Sequence, residues 1–75
     1  MPTIHQIGSL QVRMFPRDHS PPHFHVVTVD SEVQVALADL AVIRGRIRKR
    51  DLDAVRHWAR DHMELLWNEW SRLNG

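Results

Sequence analysis

From Lys49 to Leu73 the chain carries neither proline nor glycine, and its apolar residues recur at a helical period. At about 100° per residue, Leu52, Val55, Ala59, His62, Leu66, Trp70 and Leu73 fall in one narrow stripe. Asp51 and Asp53 stand in the first turn, where negative charge suits the helix dipole, and Asn74-Gly75 close the stretch. The spacing predicts one long helix over residues 49–73. A helix with a single apolar stripe needs a sheet to lie on, and that requirement limits what the rest of the chain can be.

The preceding half has the pattern of such a sheet. Thr3 to Ile7 and Leu10 to Phe15 are rich in β-branched and apolar residues, with Gly8-Ser9 between them. A glycine at the first central position of a tight hairpin can take the positive φ that the turn demands. Leu10, Val12 and Met14 alternate with Gln11 and Arg13, a half-buried pattern. Pro16 to Pro22 reads as a loop, because Pro21 and Pro22 lack the donors a central strand needs, and either bond can be cis. His23 to Val29 follows as a third strand, and Asp30-Ser31 turns the chain. Glu32 to Leu37 then sets Val33, Val35 and Leu37 on one face and Glu32, Gln34 and Ala36 on the other. The expectation is one α+β domain over residues 1–75: a small antiparallel β-meander of three to four strands (3–7, 10–15, 23–29, 32–37), then one long C-terminal helix packed across it.

A chain of 75 residues buries only about 60% of its unfolded surface. Its core should supply about 3–5 kcal/mol of net stability, so a staple or a partner is common at this size. With no cysteine, a disulfide and a thiolate zinc site are both excluded. A metal held by histidines, or a second chain, stays open. The net charge of +1 gives no general affinity for polyanions. No stretch reaches the roughly 20 apolar residues that span a bilayer, and the N-terminus lacks a signal-peptide pattern. A soluble, cytoplasmic protein without membrane contact is expected.

Three of the six histidines lie in Asp18-His19-Ser20-Pro21-Pro22-His23-Phe24-His25-Val26. His23 and His25, two apart on a strand, send their side chains from the same face with Cα atoms roughly 7 Å apart. Such a pair can be structural, one ring packed on the sheet and donating to a carbonyl. It can bind a phosphate, an RNA or a partner, together with His19. It can chelate a divalent metal, for which His5, His19, Asp18 and Glu32 are the available third ligands. It can also act as general acid and base, as in cleavage of RNA by its own 2′-hydroxyl. No cofactor is expected, a histidine-bound divalent metal being the exception that stays open. His62, in the apolar stripe, reads as a core residue, and His57 as solvated.

Two further features point to partners. Trp58 and Leu65 flank the helical stripe on one side, Met63 and Trp67 on the other, widening it to roughly 200° against the roughly 100° a core-facing helix needs. Trp58, Met63 and Trp67 are therefore candidate contacts for a small protein or a second copy of the chain. Arg44, Arg46, Arg48, Lys49 and Arg50 place five cations in seven residues. They sit where the helix dipole disfavours positive charge, so RNA or DNA phosphates, or an acidic protein surface, would explain them better than helix physics does. A solvated charge run offset by Asp39, Asp51 and Asp53 is the plainer alternative.

The whole chain resembles the bacterial domain of unknown function 4160. The resemblance rests on Met-Pro-Thr-Ile at the start, on Asp18-His19-Ser20-Pro21-Pro22-His23-Phe24-His25-Val26, on Glu32 and on the helix end around Trp70. It implies a compact α+β domain of this length, and a gene set beside another small one, as in toxin–antitoxin pairs. It implies no established activity. This chain has Asp30-Ser31 where the family tends to a glycine turn, Gln34 where it tends to lysine, and Arg48 where it tends to a small polar cap. The leading expectation is a toxin–antitoxin-type component acting by protein contact. A nucleic-acid binder or small ribonuclease using His23, His25 and the basic cluster comes next, and a histidine-metal module third.

Overall fold

In the computed structural model, residues 3–74 are described; Met1 and Pro2 of the opening Met-Pro-Thr-Ile, and Gly75, lie outside them. The sheet is an antiparallel meander in sequence order: β1 (Thr3–Ile7), β2 (Leu10–Arg13), β3 (His23–Val27), β4 (Glu32–Ala36) and β5 (Val42–Gly45). Two helices follow, α1 (Lys49–Arg60) and α2 (Met63–Asn74). Among the described residues no helix is long and apolar enough to cross a membrane.

Register explains the core. Val12 stands opposite Val26, Val26 opposite Val33, and Phe24 opposite Val35, so one face of the sheet is continuously apolar. These side chains are buried together with Val55 and Ala59 of α1 and Leu66 of α2. Burying the Phe24 ring alone contributes roughly 1.5–3 kcal/mol relative to exposing it. The pleat sends the alternate residues the other way, and there a polar row runs Arg13, His25, Gln34, Arg44 across four strands.

The α+β architecture is as expected, with three corrections. First, the sheet has a fifth strand. Leu40 takes φ +61°, its N–H bonds the Ala36 carbonyl, and the Asp39 carboxylate accepts the Ala41 N–H. This tight turn sends Val42–Gly45 back along β4. Gly45 is required there: at φ +87° its Cα faces the Glu32 carbonyl, where a Cβ would come within 2.2 Å. Second, β2, β3 and β4 stop short of Phe15, Val29 and Leu37. Thr28 N–H closes a turn onto the Ser31 carbonyl, which leaves Val29 93% exposed at its tip.

Third, the helix is broken at Asp61-His62. The Trp58 carbonyl, which an uninterrupted helix would pair with the His62 N–H, is taken by His62 Nδ1 at 2.8 Å instead. The Asp61 and His62 N–H groups bond three residues back, to Trp58 and Ala59, at 3.1 and 3.0 Å. His62 is thus exposed rather than in the core, and Leu66 is the residue by which α2 is buried.

Candidate metal centre

Phe15 to Pro22 connects β2 to β3 and folds over the start of β3. The Ser20–Pro21 peptide is cis. Asp18 is held from both sides: its backbone N–H donates to Asn74 Oδ1 at 2.8 Å, and its Oδ1 accepts the His19 N–H at 2.9 Å. Asn74 Nδ2 also donates to the Phe15 carbonyl at 3.2 Å, so the last turn of α2 clamps the loop. Asp18 Oδ2 is left facing β3.

His23 and His25 project side by side from β3, ring centroids 5.0 Å apart, 1% and 8% exposed. Each ring has one nitrogen committed. His23 Nδ1 lies 2.7 Å from the Pro21 carbonyl, and His25 Nδ1 lies 2.8 Å from Glu32 Oε2. Carbonyl and carboxylate oxygens only accept, so both Nδ1 atoms carry the proton. The two Nε2 atoms then converge on Asp18 Oδ2, at 3.0 Å from His23 and 3.1 Å from His25. The His25 contact is aligned as a hydrogen bond; the His23 contact is close but off the line a hydrogen bond needs, leaving His23 Nε2 unpaired among the described residues.

Asp18 is held below the usual carboxylate range. Burial pushes it upward, and the hydrogen bond from His25, the His19 N–H and the nearby His23 and His25 together outweigh that. The carboxylate is accordingly ionised, and with no proton on either Nε2 three electron pairs would meet at one point. Some positive charge has to sit among them: a proton on Nε2, or a cation.

The spacing suits a cation. Bonds of about 2.0–2.1 Å put neighbouring ligand atoms of a tetrahedral zinc-class ion about 3.3–3.4 Å apart. The Asp18, His23 and His25 ligand atoms all lie within 4.8 Å of one another, and two of the separations are within a few tenths of an ångström of that value. The outward hydrogen bonds match as well. Metal-ligating histidines generally donate their other ring N–H to a carboxylate or a backbone carbonyl, which fixes the tautomer and raises basicity. Here one histidine has each kind of partner.

Other residues singled out in the sequence stand elsewhere. His5 pairs with Val12 on the helix-facing side and stacks on Trp58 at 4.7 Å, so it is not brought to the centre. Glu32 supports His25 from behind rather than facing Asp18. His19 is 66% exposed and stacks on His23, with its Nε2 3.8 Å from Asp18 Oδ1. Arg44 lies on β5, and Arg46, Arg48, Lys49 and Arg50 are exposed beyond it; Lys49 is paired with Asp53 at 2.8 Å. Arg48 precedes α1 with no side-chain cap bond. Trp58 and Met63 pack against the core, whereas Trp67 and Leu65 are exposed. A surface cavity of about 270 Å³ between Ser9, Thr28, Asp30 and Arg48 lies at the far end of β3 from the histidines.

Three contributors carried no local signal: Asn74, legible only as a helix stop; Phe15, whose ring meets His25 edge-on at 4.6 Å; and Trp70, 5.5 Å from His23. Residues 10–71, a span that holds Asp18, His23, His25 and Glu32, match the domain of unknown function DUF4160. The chain belongs to that family. No curated protein and no solved structure matches this DUF4160 chain.

Proposed function

We propose that this DUF4160 chain is a small metal-binding domain in which Asp18, His23 and His25 hold a divalent zinc-class ion. The observation that carries the reading is His23 Nε2. It is buried, its ring partner is already committed to Pro21, and it faces an ionised carboxylate without an aligned hydrogen bond. A lone pair in that position costs free energy unless a donor or a metal meets it. Two imidazoles and one carboxylate form a donor set suited to zinc, and to iron(II) where positions stay open.

The test is direct. The purified chain, stripped with chelator, should take up one equivalent of Zn(II) by calorimetry, melt at higher temperature with zinc, and lose both responses in His23→Ala and Asp18→Ala. Cu(II) should quench Trp70 beside His23. Absence of uptake and of any thermal shift in the unmodified chain refutes the proposal.

A specific observation also favours protein contact as a second reading. Trp67 of α2 is 40% exposed, a large apolar ring left in solvent. A small protein partner of the toxin–antitoxin kind would be released by Trp67→Ala; co-purification unaffected by that change counts against it.

A further inference from the structure

Resting on the metal reading, we infer that His19 is the fourth ligand, closing the centre as a His3Asp site. Its ring repeats the arrangement of the other two. His19 Nδ1 lies 3.3 Å from the Ser20 carbonyl, so the proton belongs on Nδ1 and the free electron pair on Nε2. That Nε2 faces the same carboxylate, 3.8 Å from Asp18 Oδ1. All three histidines of the segment thus commit Nδ1 outward and turn Nε2 toward Asp18.

The ring spacing agrees. An imidazole centroid lies about 1.1 Å behind its ligating nitrogen, so two rings on one tetrahedral ion have centroids about 5 Å apart at zinc–nitrogen distances. His23 and His25 stand at 5.0 Å, and His19 and His23 at 5.3 Å. The cluster of Asp18, His23 and His25 does not include His19 as it stands, so ligation requires its exposed ring to turn inward.

The chemical consequence is specific. A zinc centre with three protein ligands keeps a position for water or substrate, whereas one with four protein ligands is structural in kind. With His19 bound, the ion fixes the Phe15–Pro22 loop to β3 and activates no water.

Cobalt(II) and cadmium-113 titrations of the whole chain test this. The unmodified chain should give the intense visible bands of four-coordinate cobalt, and the cadmium-113 resonance should correlate with ring protons of His19, His23 and His25. His19→Ala should still bind, at least about tenfold more weakly by analogy with the loss of an outer partner, with cobalt bands displaced because water or a further ligand replaces an imidazole. His19 is exposed, so this variant should fold; circular dichroism verifies it. Cobalt spectra and affinity unchanged in His19→Ala, or a cadmium correlation to His23 and His25 alone, overturn the inference and leave the three-ligand centre standing. An unmodified chain that takes up neither ion overturns both.

Discussion

Asn74 joins the two ends of the chain, and Asn74→Ala measures how far the centre depends on that joint. The Asn74 side chain accepts the Asp18 N–H at 2.8 Å, and donates to the Phe15 carbonyl at 3.2 Å and to Trp70 at 3.3 Å. Alanine removes all three bonds and leaves the Asp18 N–H in a largely enclosed place without an acceptor. An unmet donor of that kind costs about 1–3 kcal/mol. Set against the about 3–5 kcal/mol expected of a domain this size, the loss is large. With a urea slope of about 1 kcal/mol/M, the denaturation midpoint should fall by about 1–3 M. Metal affinity should fall too, because the undocked loop has to be ordered again before Asp18 can ligate. Each 1.4 kcal/mol of that work is about tenfold in dissociation constant. Urea denaturation of the zinc-free chain and zinc calorimetry read the two effects separately. A midpoint unchanged within about 0.5 M, together with unchanged affinity, would show that α2 does not position the loop.

Glu32→Ala removes the carboxylate behind His25 and should weaken zinc binding about 10- to 100-fold, and should lower zinc-free stability by up to about 1–3 kcal/mol because the buried His25 loses the acceptor of its Nδ1 proton; equal affinity by calorimetry refutes its supporting role. Gly45→Ala sets a Cβ against the Glu32 carbonyl at φ +87°, whereas Gly8→Ala meets nothing at φ +57°. The first should cost well over the about 1–2 kcal/mol of a left-handed residue and the second about that much; denaturation midpoints in the reverse order refute the β4–β5 geometry. Leu66→Ala empties the buried anchor of α2 and should lower stability by about 2–5 kcal/mol in urea denaturation; a cost below about 1 kcal/mol would place α2 off the sheet.

Alternation and turn chemistry made the first four strands legible, because a half-buried strand writes its two faces into the sequence at period 2. β5 was not, since it has four residues, all exposed, and its ladder depends on a turn built around Leu40 in a left-handed conformation that leucine does not advertise. The helical period located 49–73 but not the break, which comes from His62 taking the Trp58 carbonyl with its ring. At the centre, the two-residue spacing of His23 and His25 and the nearby Asp18 were readable, as were Glu32 and His19 as candidates. Which of the candidates faces the pair was not, because that depends on where the Phe15–Pro22 loop lands. The clamp that decides it joins residues 56 apart in sequence. His5 failed as a ligand for a local reason: the irregularity between Thr3 and His5 sets it opposite Val12, on the helix side.

With an ion held by Asp18, His23 and His25, ligation and the fold would support each other. The three donors belong to a loop and a strand, and Asn74 extends that set to the last turn of the last helix. An ion present at a hundredfold excess over its dissociation constant adds about 2.7 kcal/mol, which is comparable to what the small core supplies. Without the ion, the same packing holds a carboxylate and two ring nitrogens against one another, and only protons on those nitrogens relieve the opposition. A polar cluster made this costly in a chain with so little stability to spare is better accounted for by what binds it than by the fold alone, since Asp18, His23 and His25 replaced by apolar residues would pack without any such opposition.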